Sequence, residues 1–283
     1  MRIAIVGAGT VGTAVAVRWR EAGHTITAVA GRDATRGRAA RWLPGVDVVP
    51  LPDAATGAEL VALGVPDDAV ADVATSIAGT IPRGAWALHL SGALGLDVLA
   101  PLERDGARVL ALHPLQTFAD VDGALDALPG AAIAVTARDD EGTALGDRLA
   151  HDLDGRPFAL ADDDRALYHA AAVFASNYLV AVSGAASQLF VAAGVPEADD
   201  AMHPLQVATL ANVHRLGPRQ ALTGPAVRGD AGTIARNLDA VAAATPALVP
   251  AYVALCRVAM DVAGSRLPDD RRRAVEEVLE RWT

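Results

Sequence analysis

Lysine is missing from the sequence, so each of the 24 side chains that carry a permanent positive charge is an arginine. This absence excludes lysine as a general acid, as the amine of a Schiff base and as a ligand of phosphate. Positive charge in a functional site of this chain must therefore come from arginine or histidine.

Cysteine is almost absent as well, and Cys256 is the only one. A single cysteine excludes a disulfide framework within the chain and fits a reducing compartment, so we expect a cytoplasmic protein. Cys256 lies in an apolar helical pattern, which predicts a core position. The formal net charge of −10 disfavours nucleic acid and anionic membrane surfaces, so we expect neither as a partner.

Residues 170–196 contain no charged side chain. A segment of this length could cross a membrane. The segment contains Ser176, Asn177, Ser183 and Gln188, and acidic residues flank it, whereas spanning helices prefer basic flanks. We instead expect a helix buried on all sides, within a helical domain or in a homodimer formed through that domain.

Short apolar segments alternate with helical patterns in the first half of the chain. This alternation predicts an α/β fold with a doubly wound parallel sheet, a Rossmann domain over residues 1–161. Strand signals vanish afterwards, which predicts an all-helical domain of four to six helices over residues 162–283. The predicted strands are Arg2–Val6, Thr25–Ala30, 59–65, 85–90 and 108–112, with 131–136 and 157–159 as further candidates.

A glycine pattern joins the first predicted strand to the first predicted helix. Gly7 permits a tight turn, Gly9 lets the backbone approach a pyrophosphate, and Gly12 lets the helix pack closely on the strand. The amino end of the helix then faces the phosphates. A glycine turn without a ligand is the alternative. The residues predicted to bind a dinucleotide here are Gly7, Ala8, Gly9, Thr10, Val11 and Gly12.

Arginine follows the second predicted strand, where NAD-binding sites usually place a carboxylate that accepts from the ribose hydroxyls. Because a guanidinium matches a phosphate in charge and geometry, Gly31, Arg32 and Arg36 are predicted to bind the additional phosphate of NADP(H), with Arg38 nearby. Solvated surface arginines are the alternative. Asp33 is predicted to cap the next helix.

Reacting groups in such sheets lie beyond the carboxyl ends of the strands, and two further strand ends carry candidates. Val65 and Pro66 are predicted to pass beside the cofactor, with Asp67 as a helix cap. Ser91 and Gly92 offer a hydroxyl and an open backbone N–H to a substrate carboxylate or carbonyl, unless the serine only caps a turn.

Two histidines also lie at strand ends. His89 shares a face of its strand with Ser91, so it is predicted either to act with the serine or to be a core residue. His113 precedes Pro114, which fixes the chain and holds the imidazole at the strand tip. We predict His113 as the proton donor or carbonyl polariser, with a packing role as the alternative.

The helical half adds polar residues on one long predicted helix that carries Tyr168, His169, Ser176 and Asn177. His169 and Asn177 share a face with Val173. His169 is the second candidate for catalysis. Asn177 is predicted to bind the substrate or the nicotinamide amide, unless it bonds to a neighbouring helix.

A polar, glycine-rich turn occurs later, around residues 222–233. Thr223 and Arg228 are predicted to bind the substrate, with Arg228 recognising a carboxylate unless it forms a structural ion pair. Asp230 is predicted to cap the helix that follows.

Six segments of the chain together resemble one family of oxidoreductases, and they are GAGTVG, GRD, HLSG, LHPLQTF, YHAAAVFASNYL and LTGPAVRGD. That family has a Rossmann-like domain followed by a helical domain of unknown function, and it belongs to the 6-phosphogluconate dehydrogenase-like superfamily. The resemblance implies the fold and a nicotinamide cofactor, and it implies no particular substrate.

Better-known members of this superfamily suggest roles. Pyrroline-5-carboxylate reductases have a loop that is similar to residues 223–233, and prephenate dehydrogenases place a serine and a His-Pro as Ser91 and His113 are placed here. The 3-hydroxyacid dehydrogenases and ketopantoate reductases depend on a helix lysine, so their mechanism cannot be carried over unchanged to a chain without lysine.

These residues and the resemblance predict the NADPH-dependent reduction of a small carboxylate-bearing carbonyl or imine, such as a 2-oxo acid, ketopantoate included, or a cyclic imine acid. His113 would supply the proton, and Ser91, Asn177 and Arg228 would orient the substrate. Two alternatives stay open: an oxidative enzyme similar to prephenate or arogenate dehydrogenase, and a redox sensor that binds NADP(H) without turnover.

Overall fold

Short apolar strands form one seven-stranded sheet in the first of the two units of the chain, residues 1–176. The computed structural model describes every residue from Met1 to Thr283. The strand order is β2-β1-β3-β4-β5-β6-β7, and the strands are β1 (Arg2–Val6), β2 (Thr25–Ala30), β3 (Leu60–Leu63), β4 (Trp86–His89), β5 (Arg108–Pro114), β6 (Ala132–Ala137) and β7 (Arg156–Ala159). The predicted α/β fold is confirmed.

Seven helices accompany the sheet in this unit. Two apolar layers cover its faces, and the larger includes Trp19, whose buried indole N–H donates to the backbone oxygen of Leu149 at 3.0 Å. The helices are α1 (Thr10–Glu21), α2 (Ala34–Trp42), α3 (Val70–Ile77), α4 (Ala100–Arg104), α5 (Val121–Ala127), α6 (Asp140–His151) and α7 (Arg165–Ala175).

One strand pairing departs from the predicted parallel sheet. β5 pairs antiparallel with β6, so that His113 lies opposite Ala134, while every other pairing in the sheet is parallel. The connection between the two strands contains α5, which packs against α1 instead of crossing back along the sheet. The chain therefore re-enters the sheet from the opposite end.

The strand order reverses direction at β1. The chain passes from β1 to β2 on one side, and β3 then pairs with β1 on the other side. In doubly wound sheets the crevice at such a switch point, beyond the carboxyl ends of the strands, is where ligands bind. Gly7 and Gly64 follow the two strands that border this crevice.

The first unit continues past the predicted boundary at residue 161 and ends at Ser176. Helix α7 belongs to it because the buried side chain of Arg165, at the start of the helix, bonds to residues that follow β4 and to Thr136 of β6. The strand patterns of the sequence thus end one helix before the boundary between the two units.

The second unit, residues 177–283, is entirely helical, as predicted, but contains seven α-helices where four to six were predicted. Its core includes Cys256, which confirms the predicted core position. The helices are α8 (Asn177–Ala192), α9 (Ala198–Leu216), α10 (Pro218–Ala221), α11 (Pro225–Arg228), α12 (Ala231–Ala244), α13 (Val249–Ala263) and α14 (Asp269–Leu279).

Helix α8 leaves an apolar surface uncovered. None of its residues is buried within the chain, and Val180 and Val191 are 70% and 64% exposed. By length and hydropathy, residues 162–192 and 246–266 would both suffice to cross a membrane, and the second of these segments contributes to the core of its unit. The prediction of a helix buried on all sides therefore fails for the single chain.

Candidate functional site

Glycine is required by space at two positions of the turn after β1. Gly7 has φ +92°, and a Cβ there would lie 2.6 Å from the backbone nitrogen of Val65. A Cβ on Gly12 would lie 2.3 Å from the backbone oxygen of Gly7. Around Gly9 the nearest atom to such a Cβ is 3.9 Å away, so its backbone faces open space. These are the tight turn, the close helix packing and the open approach that the sequence predicted.

The amino end of α1 has no internal compensation for its charge. Gly9 at the N-cap has no side chain to bond the first N–H groups, and the first turn contains no acidic residue. Free N–H groups and the helix dipole together attract an anion. The backbone here fits the pyrophosphate of a dinucleotide.

Arginines surround the end of β2 as predicted. Arg32 and Arg36 are exposed and form no ion pair, and Arg38 donates to the backbone oxygen of Ala8 at 3.3 Å. The free guanidinium groups of Arg32 and Arg36 fit an additional phosphate. Asp33 occupies the N-cap of α2 but accepts no capping hydrogen bond, because its backbone is already helical (φ −46°, ψ −42°), so this predicted cap is wrong.

The segment at residues 65–67, which follows β3, differs from the prediction at Asp67. Val65 packs against the glycine turn, close to Gly7, and Pro66 is exposed. Asp67 forms no capping hydrogen bond with the helical turn that it begins, so the predicted cap is wrong here as well.

A group of aromatic and imidazole side chains surrounds Gly92 in the first unit. The Nδ1 atom of His113 lies 2.8 Å from the hydroxyl of Tyr168, and the ring centroids of His113 and His169 are 6.4 Å apart. A Cβ on Gly92 would lie 2.8 Å from Nε2 of His113 and 2.9 Å from Nδ1 of His169. Both imidazoles therefore lie against the same backbone position.

Burial keeps the side chains of His113 and Tyr168 uncharged near neutral pH. Burial, the positive charge of Arg165 and then His169 lower the pKa of His113 to about 4. Burial raises the pKa of Tyr168 to about 12, against a smaller opposite effect of Arg165. The site thus combines a neutral imidazole with a phenol that keeps its proton, joined by a hydrogen bond.

Ser91 has a structural role that the sequence left as an alternative. Its hydroxyl oxygen accepts from the backbone N–H groups of Ala93 and Leu94, both at 3.1 Å. The serine thereby shapes the turn that carries Gly92. Its predicted contact with a substrate stays a prediction.

Arg165 was not identified from the sequence. Its guanidinium donates to the backbone oxygens of Ser91 and Leu94 and, at 2.9 Å, to Oγ1 of Thr136. In the sequence it is one arginine after three aspartates, a pattern that usually belongs to a solvated surface. No signal in the sequence marks it as buried. Tyr168 was noticed only as a neighbour of His169.

The long predicted helix is broken. Ser176 has φ −125° and ψ −71°, so α7 ends there and Asn177 begins α8. Serine and asparagine compete for backbone hydrogen bonds and favour helix ends. His169 and Asn177 therefore do not share one helical face, and Asn177 is exposed at the start of its helix.

The second unit carries the other predicted substrate residues. Thr223 lines a cavity of about 270 Å³ together with Tyr252 and Cys256. Arg228 is exposed and forms no ion pair within the chain. Asp230 accepts from the backbone N–H of Thr233 at 3.0 Å and caps α12, as predicted.

Replacement of Gly92 by alanine should disable the site without unfolding the chain. The backbone of Gly92 is not in the left-handed region, so alanine is allowed there, but the added methyl group would displace the rings of His113 and His169. We expect the NMR signals of both imidazoles to shift while the melting temperature falls only slightly. Unchanged imidazole signals would contradict this placement, and Gly184→Ala, at an open helical position, is the control.

Acid should destabilise the protein because His89 and His113 must be protonated when it unfolds. His89 is fully buried, and burial followed by the charge of Arg165 lowers its pKa to about 3. Both pKa values lie below 6.5, the value for an unfolded histidine, so the unfolded chain binds more protons. Stability is full above that pH and falls as the pH drops towards 4.

We expect His89→Leu to reduce this loss by removing one of the two titrating rings. The free energy of unfolding should be measured by urea denaturation at about pH 7 and about pH 5, where the difference between the two values reports the proton linkage. An equal difference in the wild type and in His89→Leu would contradict the assignment.

Comparisons with known proteins agree with this architecture. Residues 1–114 match a Rossmann-like domain, and residues 131–259 match a domain of unknown function, DUF2520. A search of curated proteins finds no match.

Several solved structures share the fold over nearly the whole chain. A Bacteroides fragilis protein, provisionally assigned as an NADP oxidoreductase, is 26% identical with a TM-score of 0.78, covering 92% of this chain and 98% of that one. Protein TM1727 from Thermotoga maritima is 22% identical with a TM-score of 0.72, covering 93% and 98%. An imine reductase from Myxococcus stipitatus in complex with NADP⁺ is 15% identical with a TM-score of 0.67, covering 100% and 99%.

Proposed function

Because the chain joins a Rossmann-like domain to a DUF2520 domain, we propose that it is an NADP(H)-dependent oxidoreductase. The observation that carries this proposal is the uncapped amino end of α1 at the open backbone of Gly9, with Arg32 and Arg36 unpaired at the end of β2. The first feature fits a pyrophosphate and the second fits the additional phosphate of NADP(H). The provisional assignment of the Bacteroides fragilis protein supports the same cofactor.

The reaction that the site supports best is the reduction of a small carboxylate-bearing carbonyl or imine. A bound nicotinamide supplies a hydride. We propose that the chain supplies the proton: in the tautomer in which the Tyr168 O–H donates to Nδ1 of His113, 2.8 Å away, the ring's proton is on Nε2, on the side of Gly92. The Nε2 proton passes to the substrate atom that gains the electron pair, Nδ1 takes the phenol proton, and water restores the phenol.

The substrate carboxylate needs a cation, and only arginine or histidine can provide it in this chain. The rings of His113 and His89 are neutral. Arg228 in the second unit is exposed and unpaired, so its guanidinium is free to bind an anion, and its contact with the substrate carboxylate stays a prediction, as do those of Thr223 and Asn177.

A direct test is to measure NADPH binding by fluorescence and then NADPH oxidation with a panel of 2-oxo acids, ketopantoate among them, and cyclic imine acids. We expect binding and turnover of at least one compound class. NADP⁺ reduction with cyclohexadienyl substrates would select the oxidative alternative. Tight NADPH binding with no turnover in either direction would select the redox sensor. Absence of NADPH binding would overturn the proposal.

Dimerisation is a further expectation from the exposed apolar surface. Helix α8 has no buried residue, and α9 has only Ala198 and Met202 buried within the chain. A surface of this kind is usually covered in the native assembly. We propose a homodimer formed through α8 and α9.

Light scattering at micromolar concentration should give twice the chain mass of 29.0 kDa. Val180→Glu, which places a charge on this surface, should shift the mass to that of the monomer. Ala240→Glu, at an exposed position of α12, is the control. A monomeric wild type, or a mass that doubles only when lipid vesicles are present, would contradict the homodimer.

A further inference from the structure

Arg165 is a buried cation without an anionic partner. Its side chain is 1% exposed, and no carboxylate lies within ion-pair distance of the guanidinium. Burial lowers its pKa, while Asp162, Tyr168 and Asp67 act from a distance in the opposite direction. Burying an unpaired charge is costly even when its donors are bonded. A position of this kind therefore indicates a role beyond packing.

The guanidinium acts on the peptide unit between Ser91 and Gly92. It donates to the backbone oxygen of Ser91, and the N–H of Gly92 belongs to the same planar trans peptide. Hydrogen bonds polarise one another along such a unit, so a cation at the oxygen makes the N–H a stronger donor. Gly92 is buried, and its N–H donates to no group of the protein.

Two imidazole nitrogens lie close to this peptide. A Cβ on Gly92 would approach Nε2 of His113 and Nδ1 of His169 to within 3 Å, and Nδ1 of His169 is buried without a partner. Neither nitrogen forms a hydrogen bond with another group of the protein. The Gly92 N–H and these two nitrogens thus lie together without hydrogen-bond partners, beside the peptide whose oxygen Arg165 bonds.

We propose that Arg165 is a positioning residue that holds and polarises the Ser91–Gly92 peptide, so that the N–H of Gly92, with His113 and His169, receives a substrate oxygen on which negative charge develops. This inference rests on the proposed function and narrows its substrate class. Fixed donors aimed at a developing oxyanion are the usual source of electrostatic stabilisation in such a step.

The chemistry favours a carbonyl over an imine. When a carbonyl carbon gains a hydride, a C–H bond forms and the C=O π pair moves to the oxygen, which is then protonated through His113. A protonated imine enters as a cation instead and loses its charge. The buried charge of Arg165 attracts the oxygen on which negative charge develops and repels the protonated imine. The substrate is therefore a 2-oxo acid or a similar carbonyl compound.

Glycine amide NMR provides a test that does not depend on turnover. The chain has two Ser–Gly pairs, Ser91–Gly92 and Ser183–Gly184, so [1-¹³C]serine with [¹⁵N]glycine labels only two amides, and Ser183→Thr removes the second. Arg165→Met removes the charge at similar length. Thr136→Val is the matched control, because it removes one bond of the guanidinium and leaves the bond to Ser91.

The Gly92 ¹⁵N resonance should move upfield in Arg165→Met and stay near the wild-type position in Thr136→Val. Oxamate, an unreactive mimic of a 2-oxo acid, should shift the Gly92 amide and the His169 ring, with and without NADP⁺. We expect Arg165→Met to weaken oxamate binding at least about tenfold relative to Thr136→Val. Pyrrolidine, which is cationic at neutral pH, should leave both signals unchanged.

An unshifted Gly92 signal in Arg165→Met, equal oxamate affinities, or a pyrrolidine response as large as that of oxamate would overturn the inference. If Arg165→Met does not fold, Arg165→Lys is measured instead, because it keeps the charge but cannot bond both backbone oxygens. Its oxamate affinity should lie between that of the wild type and complete loss of binding. NADPH binding in the same samples separates the two proposals, because the oxygen site stands if oxamate binds while NADPH does not.

Discussion

His113→Ala should lower kcat about 10²- to 10⁴-fold, which is the usual contribution of general acid catalysis, and leave NADPH affinity nearly unchanged. The reason is that His113 connects the phenol of Tyr168 with the backbone position at Gly92 where the substrate would lie. The measurement is steady-state kinetics with the substrate that the panel identifies, together with NADPH titration.

Tyr168→Phe tests the relay separately, because it keeps the ring that packs on Phe158 and removes only the hydroxyl. We expect a smaller loss of kcat than in His113→Ala, and the double variant should lose little more than His113→Ala alone, since both residues act on one proton. His169→Ala is to be measured in parallel. A wild-type kcat in His113→Ala would show that the proton comes from elsewhere, and a large loss in His169→Ala alone would assign it to that ring.

Arg32→Ala should remove most of the preference for NADPH over NADH. A charge-assisted hydrogen bond contributes roughly 1.5–3 kcal/mol, or about 10- to 150-fold in affinity, and Arg32 is free to form one because it has no ion-pair partner. In the wild type, NADPH should therefore bind at least about tenfold more tightly than NADH.

Fluorescence titration of both cofactors measures the two affinities. Arg41→Ala is the matched control on α2, the helix that follows Arg32, because that guanidinium already pairs with Asp122 at 3.0 Å and stacks on Trp42. It should leave the ratio of affinities unchanged. Equal affinities for NADPH and NADH in the wild type would contradict the assignment of Arg32, whatever the variants show.

The sequence by itself determined the Rossmann half of the protein. The spacing of Gly7, Gly9 and Gly12 between a strand and a helix reflects local geometry. The contacts that require glycine at these positions lie within the strand–turn–helix unit or with the adjacent strand. The place of Arg32 and the capping of α12 by Asp230 were likewise local, and so they could be predicted. Strands buried in a sheet are also recognisable as short apolar runs.

Only the tertiary structure decided which side chains gather around Gly92. His113 is far from Arg165 and Tyr168 in the sequence, and their meeting depends on how α7, which carries the last two, packs against the ends of β4 and β5. Burial turned an ordinary-looking arginine into an unpaired cation and two histidines into neutral rings, and burial is a property of the packed chain. The reversal of β6 has the same origin, because it depends on how that strand pairs with β5 and on how the helix between them packs against α1.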